Sequence, residues 1–570
     1  MKLTTSLFII FNFCLVQGQI FFENQASARG VGDSCGSIAL GMGISFNDYN
    51  NDGWDDITFA TQGSENVKIY KNTQNGFFIL ETQLNPFNLS QQKQPIWVDF
   101  DNDGDKDLFV TSNTDGNRLY RNDITALTDI TVSAGLPLEN LVTYGASWGD
   151  YNNDGFLDVF ISNRDDGVIP NFLFKNNGNG TFTNVSNLVG ISNESRLSFG
   201  AAFFDYNNDG WQDIYVINDR VEYQNQLYSN NGDGTFNEVG ETSGTNIAIE
   251  AMSTTIGDFN NDGWFDIYIT NGVEGNAFLK NNADGTFTDV AEATGTVFNS
   301  VGWGAVFLDA ENDLDLDLYV SGSLNGSDPS HISAAFYENL SNGTYSQLNN
   351  GSFSGDTSES YANAIGDIDN DGYPEIIVGN SNNEDIFLWK NLSDQTNNWL
   401  KVNLQGTISN KQGVGSVIEI STNGQKQYRY TLCGEGFLAQ NSDSEFFGLG
   451  NTLTVDYVKV KWLSGIEDII YNVSANQSLT IIENSTLSTG LGKAKNYIEI
   501  YPIPTSKTIK IKSESIITKI RVYDTMGKAL LDTSPYALNH EINIENFLKG
   551  VYILKVQLKD IEVTRKIIKD

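Results

Sequence analysis

The stretch GDYNNDGFLDVFISN, Gly149 to Asn163, sets Asp150, Asn152, Asp154 and Asp158 within nine residues around one glycine. Counted from Asp150, side-chain oxygens fall at positions 1, 3, 5 and 9, with glycine at position 6. Alternating oxygen donors, a glycine that permits a sharp turn and a later carboxylate suit a hard divalent cation. Calcium, which takes six to eight oxygens, fits best. Position 7 is then expected to contribute its backbone carbonyl, leaving its side chain free to vary.

The segment returns at a fixed beat, which sets the architecture before any single element is considered. Its seven copies begin at Asp48, Asp99, Asp150, Asp205, Asp258, Asp309 and Asp367, in steps of 51 to 58 residues. The expected cation ligands in the first copy are Asp48, Asn50, Asp52 and Asp56, and in the second Asp99, Asp101, Asp103 and Asp107. The third supplies Asp150, Asn152, Asp154 and Asp158, and the fourth Asp205, Asn207, Asp209 and Asp213. The fifth supplies Asp258, Asn260, Asp262 and Asp266. In the seventh they are Asp367, Asp369, Asp371 and Glu375, the glutamate having the reach to bind through both oxygens. Position 7 varies among Trp54, Asp105, Phe156, Trp211, Trp264, Asp315 and Tyr373. The sixth copy has Leu314 in place of glycine and the longer Glu311 at position 3. A left-handed conformation costs a non-glycine residue about 1–2 kcal/mol, so this site is expected to be weak or empty. The reading is about one calcium per repeat, the sixth excepted.

An EF-hand would place its last ligand at position 12 between helices. Here it stands at position 9, followed by ITFAT, LFVTS, VFISN, IYVIN, IYITN, LYVSG and IIVGN. These β-branched and aromatic runs read as strands, so each loop joins two strands. A plain polar turn needs one Asn-Gly or Asp-Gly, not carboxylates fixed at 1, 5 and 9.

Two further signals keep the same beat. The pair Lys-Asn and its variants recurs about 20 residues on, at Asn72, Asn122, Asn176, Asn230, Asn281, Asn339 and Asn391. A Gly-Thr-Phe follows at Phe182, Phe236 and Phe287. In the third repeat four strands are expected, over 146–149, 159–162, 171–175 and 181–185. Four strands per unit of about 50 residues predict a propeller blade, and seven units a seven-bladed ring. The last repeat lacks its fourth strand, while QIFFENQASARGVG at the N-terminus is similar to GTFTDVAEATGTV from Gly285. Residues 20–24 are therefore expected to complete the final blade and close the ring.

The seven D-x-[DN]-x-D-G-x-x-D copies resemble FG-GAP/VCBS repeats, the calcium-carrying blades of the integrin α-subunit type of propeller, over residues 19–395. The resemblance implies a binding and adhesion scaffold. After the ring, Gly413-x-Gly415, Gly434-x-Gly436, Phe447-Gly-Leu-Gly450 and Trp462-Leu-Ser-Gly465 resemble an ASPIC/UnbV domain over 396–484, with Leu463 where that family usually has proline. By pattern it is a small β domain. A polar linker, 485–496, leads to 497–570. There Tyr501-Pro-Ile-Pro504, Tyr523-Asp-x-x-Gly527 and Gly550-Val-Tyr552 resemble the C-terminal sorting domain of type IX secretion, a small β-sandwich. That resemblance implies contact with the secretion machinery and a bacterium with an outer membrane. The fold class expected is all-β throughout.

Composition agrees with export. Residues 1–18 carry Lys2, an apolar run from Leu7 to Val16 and small residues before Gln19, the pattern of a signal peptide. No later stretch is long and apolar enough for a membrane span. Of three cysteines only Cys35 and Cys433 follow the leader, too few for a disulfide framework. The net charge is −38, from 72 acidic and 34 basic residues, which argues against nucleic acid as a partner. From Lys493 onward there are 14 basic and 9 acidic residues, so the excess acid belongs to the repeats and the domain after them. Only His331 and His540 exist, and no Ser/His/Asp, Cys/His or P-loop pattern is found, so no enzyme is expected. The expected function is a secreted, calcium-binding module for binding or adhesion at the cell surface. The alternative is capture of or action on glycans, through aromatics at position 7. The ligand, protein or glycan, is not named by the sequence.

Overall fold

The computed structural model describes residues 20–84, 88–123, 125–324, 331–486, 498–501, 505–524, 527–558 and 562–569. The leader, most of the linker and residues 502–504 lie outside them. The described chain is almost entirely β, and its repeats form seven blades of four antiparallel strands. In the third blade these are Thr143–Gly149, Asp158–Asn163, Phe172–Asn176 and Phe182–Asn184. Each expected strand is present, the inner one three residues longer at its start than its pattern suggested.

Neighbouring blades touch through their inner strands, from the first to the second and from the third round to the seventh and back to the first. The second and third blades are joined by the Thr111 hydroxyl, which donates to the Tyr144 carbonyl at 2.6 Å. The core lies between blades. Along Asp158–Asn163, Val159 and Ile161 enter the layer shared with the second blade, while Phe160 enters the layer shared with the fourth. A strand buried on both faces explains why these segments read as continuous apolar runs.

The ring closes as the N-terminal segment predicts. Phe22–Asn24 pairs antiparallel with Phe387–Asn391 as the fourth strand of the seventh blade, in register Phe22 with Asn391. Phe22 is buried between Phe336 and Phe353. Gly30, at φ +86°, sits where a Cβ would lie 2.6 Å from the Phe78 carbonyl oxygen of the first blade, so the end of this segment also seals the joint on its other side.

The domain after the ring has two sheets. One contains Asn398–Gln405 between Glu445–Gly450 and Gln477–Ile482; the other runs Gln425–Tyr430, Val417–Thr422, Thr454–Lys461, Glu467–Ser474. Between them, residues 433–442 enter the axis of the propeller and meet every blade. The Trp148 N–H donates to the Cys433 carbonyl at 2.8 Å, the Gly436 N–H to Thr254 at 3.2 Å and the Ser442 N–H to Ile365 at 2.9 Å. Ala439–Gln440 adds a parallel strand to Ile44–Asn47, and the Gln440 amide both accepts from Trp97 N–H and donates to its carbonyl, each at 2.8 Å. Phe437 packs against Phe199, Trp303 and Tyr361. Gly434 is required here: its φ is +79°, and a Cβ would lie 2.5 Å from the Ala146 carbonyl oxygen. Cys433 and Cys35 are buried and unpaired.

The C-terminal unit is a two-sheet sandwich. Ile498–Tyr501, Thr508–Ile517 and Ala537–Asn543 form one sheet, and Ala529–Thr533, Lys519–Tyr523, Gly550–Gln557 and Glu562–Lys569 the other. Ile509, Ile511, Val522, Leu554 and Ile567 fill its core.

Candidate metal loops

All seven acidic loops join the inner strand of a blade to its second strand, so they gather at one end of the ring. In the third loop, Asp154 and Gly155 donate their N–H groups to the two oxygens of Asp150, at 3.0 and 2.8 Å, and Phe156 N–H donates to Asp154 at 3.2 Å. The first, fourth, fifth and seventh loops repeat these bonds on Asp48, Asp205, Asp258 and Asp367. Position 6 is left-handed throughout, which is why glycine stands there. Position 9 opens the second strand and is fully buried. Asp158 takes the N–H of Asn176 at 2.7 Å on one oxygen and that of Tyr151 at 3.2 Å on the other. Position 3 is placed differently: in the third, fourth and fifth loops the Asn side chain turns to position 5, as Asn152 does to Asp154 at 3.0 Å.

Burial dominates the electrostatics. It lifts Asp99, Asp150 and Asp258 to about 7, Asp205 to about 6, and Asp56 and Asp107 to about 9, with neighbouring carboxylates adding to the rise. Asp158, Asp213 and Asp266 are lifted well above the ordinary range for the same reasons. Burial and mutual repulsion thus favour the neutral form of these acids over the ionised one. In the second loop, oxygens of Asp99, Asp101 and Asp107 lie within 4.8 Å of one another. Asp99 Oδ1 and Asp107 Oδ2 are buried with no hydrogen-bond partner among the described residues. A hard cation at that point would satisfy both, so the residues fit one.

Two sets of asparagines tie the loops into a belt. The residue at position 4 is left-handed in every copy, at φ +54° to +61°, and its amide reaches the position-6 carbonyl of the next loop. The bonds run Asn51 to Gly104, Asn102 to Gly155, Asn153 to Gly210, Asn208 to Gly263, Asn261 to Leu314, Asn312 to Gly372 and Asn370 to Gly53, all at 2.8–3.1 Å. The last returns to the first blade. The second set is the Lys-Asn beat. Asn176 donates its N–H to Asp158 and its amide to the carbonyls of Leu157, in its own loop, and Phe100, in the preceding one. Asn72, Asn230, Asn281 and Asn339 do the same. Neither role was read from the sequence, although the strict spacing of both asparagines was the available signal.

The sixth and seventh loops depart from the rest. Leu314 adopts φ +87° and still donates its N–H to Asp309 at 2.9 Å. Asp309, Glu311, Asp315 and Asp317 are buried there, and burial with mutual repulsion lifts each of them. In the seventh loop an ammonium group stands among the expected ligands. Lys390 Nζ lies 2.9 Å from Asp369, 3.0 Å from Asp371 and 2.6 Å from Glu375. Burial alone would lower this lysine, but Glu375, Asp371 and Asp369 outweigh it and hold it above the usual lysine range.

Several position-7 rings pack against the ring of blades while remaining half-exposed. The rings of Phe156 and Trp211 cover Gly178 and Gly232 of their own blades, where a Cβ would come within 2.9 Å. Tyr373 is buried and its hydroxyl donates to the Asn397 carbonyl at 2.8 Å. The β domain lies over this end of the ring. Lys411 N–H donates to Asn102 at 3.0 Å, Asp99 N–H to Gln412 at 2.7 Å, Gly450 N–H to Asn312 at 2.9 Å, and the Trp399 indole rests on Gly372.

Family models agree with this architecture. The FG-GAP-like repeat family matches residues 48–110, 99–161, 150–216, 205–269 and 258–320. ASPIC and UnbV matches 406–488, and the secretion system C-terminal sorting domain matches 499–570. Among curated proteins the chain is 26% identical over 186 residues to cartilage acidic protein 1 of Xenopus tropicalis, covering 31% of this chain and 28% of that protein. It is 27% identical over 166 residues to the Homo sapiens protein, covering 29% and 24%. The alignments thus span about a quarter of those relatives. Among solved structures it is similar to the extracellular domain of the putative one-component system BT4673 from B. thetaiotaomicron, at TM-score 0.38 and 10% identity, covering 97% of this chain and 60% of that one. It is also similar to PorZ, a surface component of the type IX secretion system of Porphyromonas gingivalis, at TM-score 0.20 and 11% identity, covering 93% and 81%. The chain is an FG-GAP-repeat β-propeller protein with an ASPIC/UnbV domain and a C-terminal secretion sorting domain.

Proposed function

We propose that the chain, marked by its sorting domain for export to the bacterial cell surface or beyond, acts there as a calcium-stabilised, non-enzymatic module for binding and adhesion. No described helix is long and apolar enough to cross a membrane. The observation that carries this proposal is the belt of buried acidic loops, with unpartnered carboxylate oxygens in the second. When bound, calcium supplies the positive charge these carboxylates are arranged around. Asp48, Asp52 and Asp56 and their counterparts in the second to fifth loops would hold it. The asparagine belt then passes the order of each loop to its neighbour.

The β domain covers the loop end, so ligand contact is assigned to the opposite end of the ring. There the connections between second and third strands expose Val168, Val221 and Val273 on three consecutive blades. Apolar side chains on one face favour a protein ligand over a glycan. Phe156, Trp211 and Tyr373 already pack against their own blades and the covering domain, which favours the other end of the ring for ligand contact. A screen of calcium-loaded protein against surface proteins and a glycan array tests this. Protein hits are expected, and V168D/V221D/V273D should weaken them at least tenfold. Glycan hits indifferent to the triple substitution would overturn the assignment.

A second prediction concerns export. Deleting residues 497–570 should leave the propeller folded and retain it in the periplasm, as measured by fractionation and surface proteolysis. Normal surface delivery of the truncated chain would refute the role of the tail.

A further inference from the structure

The calcium reading treats all regular loops alike, but the charges around the seventh do not. Its four acids face three basic groups drawn from three parts of the chain. Lys390, on the third strand of the blade, contacts three of the acids. Lys401, from the covering β domain, lies 3.2 Å from Asp367 and also bonds Asn370. Arg29, from the N-terminal segment, lies 3.8 Å from Asp369.

Lysines at the same beat elsewhere do not do this. Lys71 and Lys175 touch only the position-5 aspartate, at 3.5 and 3.3 Å, with side chains 37% and 34% exposed. The Lys390 side chain is 4% exposed. The cause is visible at position 9. In the other six loops one oxygen of the aspartate is held by the N–H of the Lys-Asn asparagine, at 2.7–2.8 Å. Glu375, one methylene longer, gives one oxygen to Ile368 N–H at 2.9 Å and turns the other to Lys390. The second, fourth and sixth blades have Arg121, Ser229 and Glu338 in place of the lysine.

We propose that Lys390 is the resident cation of the seventh loop, making it a metal-independent clasp. It joins the N-terminal segment, the closing blade and the β domain without a divalent ion. Oxygens of Asp367, Asp369 and Asp371 lie within 4.8 Å of one another, and the ammonium in contact with Asp369, Asp371 and Glu375 already supplies the positive charge a calcium ion would. The proposal rests on the calcium reading of the regular loops only for its contrast with them.

Calcium stoichiometry of the full chain, by equilibrium dialysis, tests it with three variants. Asp154→Asn, in the third loop, should lose one ion relative to the parent. Asp371→Asn, the matching change in the seventh, should lose none. Lys390→Met should gain one. An ion lost from Asp371→Asn overturns the clasp and leaves the calcium reading standing. So does a folded Lys390→Met that gains none. A parent that binds no calcium while Lys390→Met binds one ion refutes the calcium reading and supports the clasp. Should Lys390→Met fail to fold, the matched aspartate pair decides.

Discussion

Chelation of calcium should lower the melting temperature of the propeller by about 10 °C, and millimolar calcium should restore it. The size follows from linkage. Extracellular calcium sites bind with Kd of roughly 10⁻⁴–10⁻³ M, and calcium about tenfold above Kd contributes about 1.4 kcal/mol per site. Five regular loops then contribute about 7 kcal/mol, comparable with the whole stability of a typical domain. With unfolding entropy of about 2.1 cal/mol/K per residue over roughly 370 residues, that is about 9 °C. The pH dependence has a definite sign. Asp56 and Asp107 rise from 3.8 to about 9, and Asp99, Asp150 and Asp258 to about 7. Between the unfolded and folded values the native state binds more protons than the unfolded one. Without calcium, stability is therefore greatest below about pH 4 for these groups and is lost as pH rises towards 7 and then 9, by about 1.4 kcal/mol per pH unit for each proton retained. In chelator, melting at pH 5.5 should exceed melting at pH 8. Calcium should remove that order, because it binds the ionised form. A melting temperature unmoved by chelator, or one that rises with pH in chelator, contradicts this.

Removal of residues 19–30 should be as damaging. It strips Phe22–Asn24 from the seventh blade, exposes the edge of Phe387–Asn391 and uncovers Phe336 and Phe353. Loss of a buried phenylalanine alone costs about 3–5 kcal/mol, and an unpaired edge invites aggregation. The expected outcome is melting lower by several degrees with soluble aggregates on size exclusion. The single substitution Phe22→Ala should reproduce much of the melting loss without opening the edge. Unchanged melting of the truncated chain would mean that the ring does not depend on this closure.

Much of this was legible because the sequence repeats. Seven copies fixed the blade count, the β-branched and aromatic runs after position 9 marked the second strands, and the missing last strand pointed to residues 20–24. The plug was not legible. The GEGFLAQNSD stretch has no local period to mark it, since its order comes from contacts with all seven blades. The position-4 asparagines had no legible role, because a left-handed Asn is common in turns and its partner lies some 50 residues away in the next repeat. Glu375 was read as a longer calcium ligand. In the structure one of its oxygens meets Lys390, a contact that depends on where the third strand sets its side chain.

The central claim is that the regular loops are calcium sites, and counting bound ions tests it most directly. Anomalous diffraction from crystals grown in calcium should place one ion in each of the first five loops. Each should lie beside the position-1, position-5 and position-9 carboxylates, with weak or no density in the sixth. Water or lysine nitrogen in all five, with no anomalous signal at millimolar calcium, would contradict it.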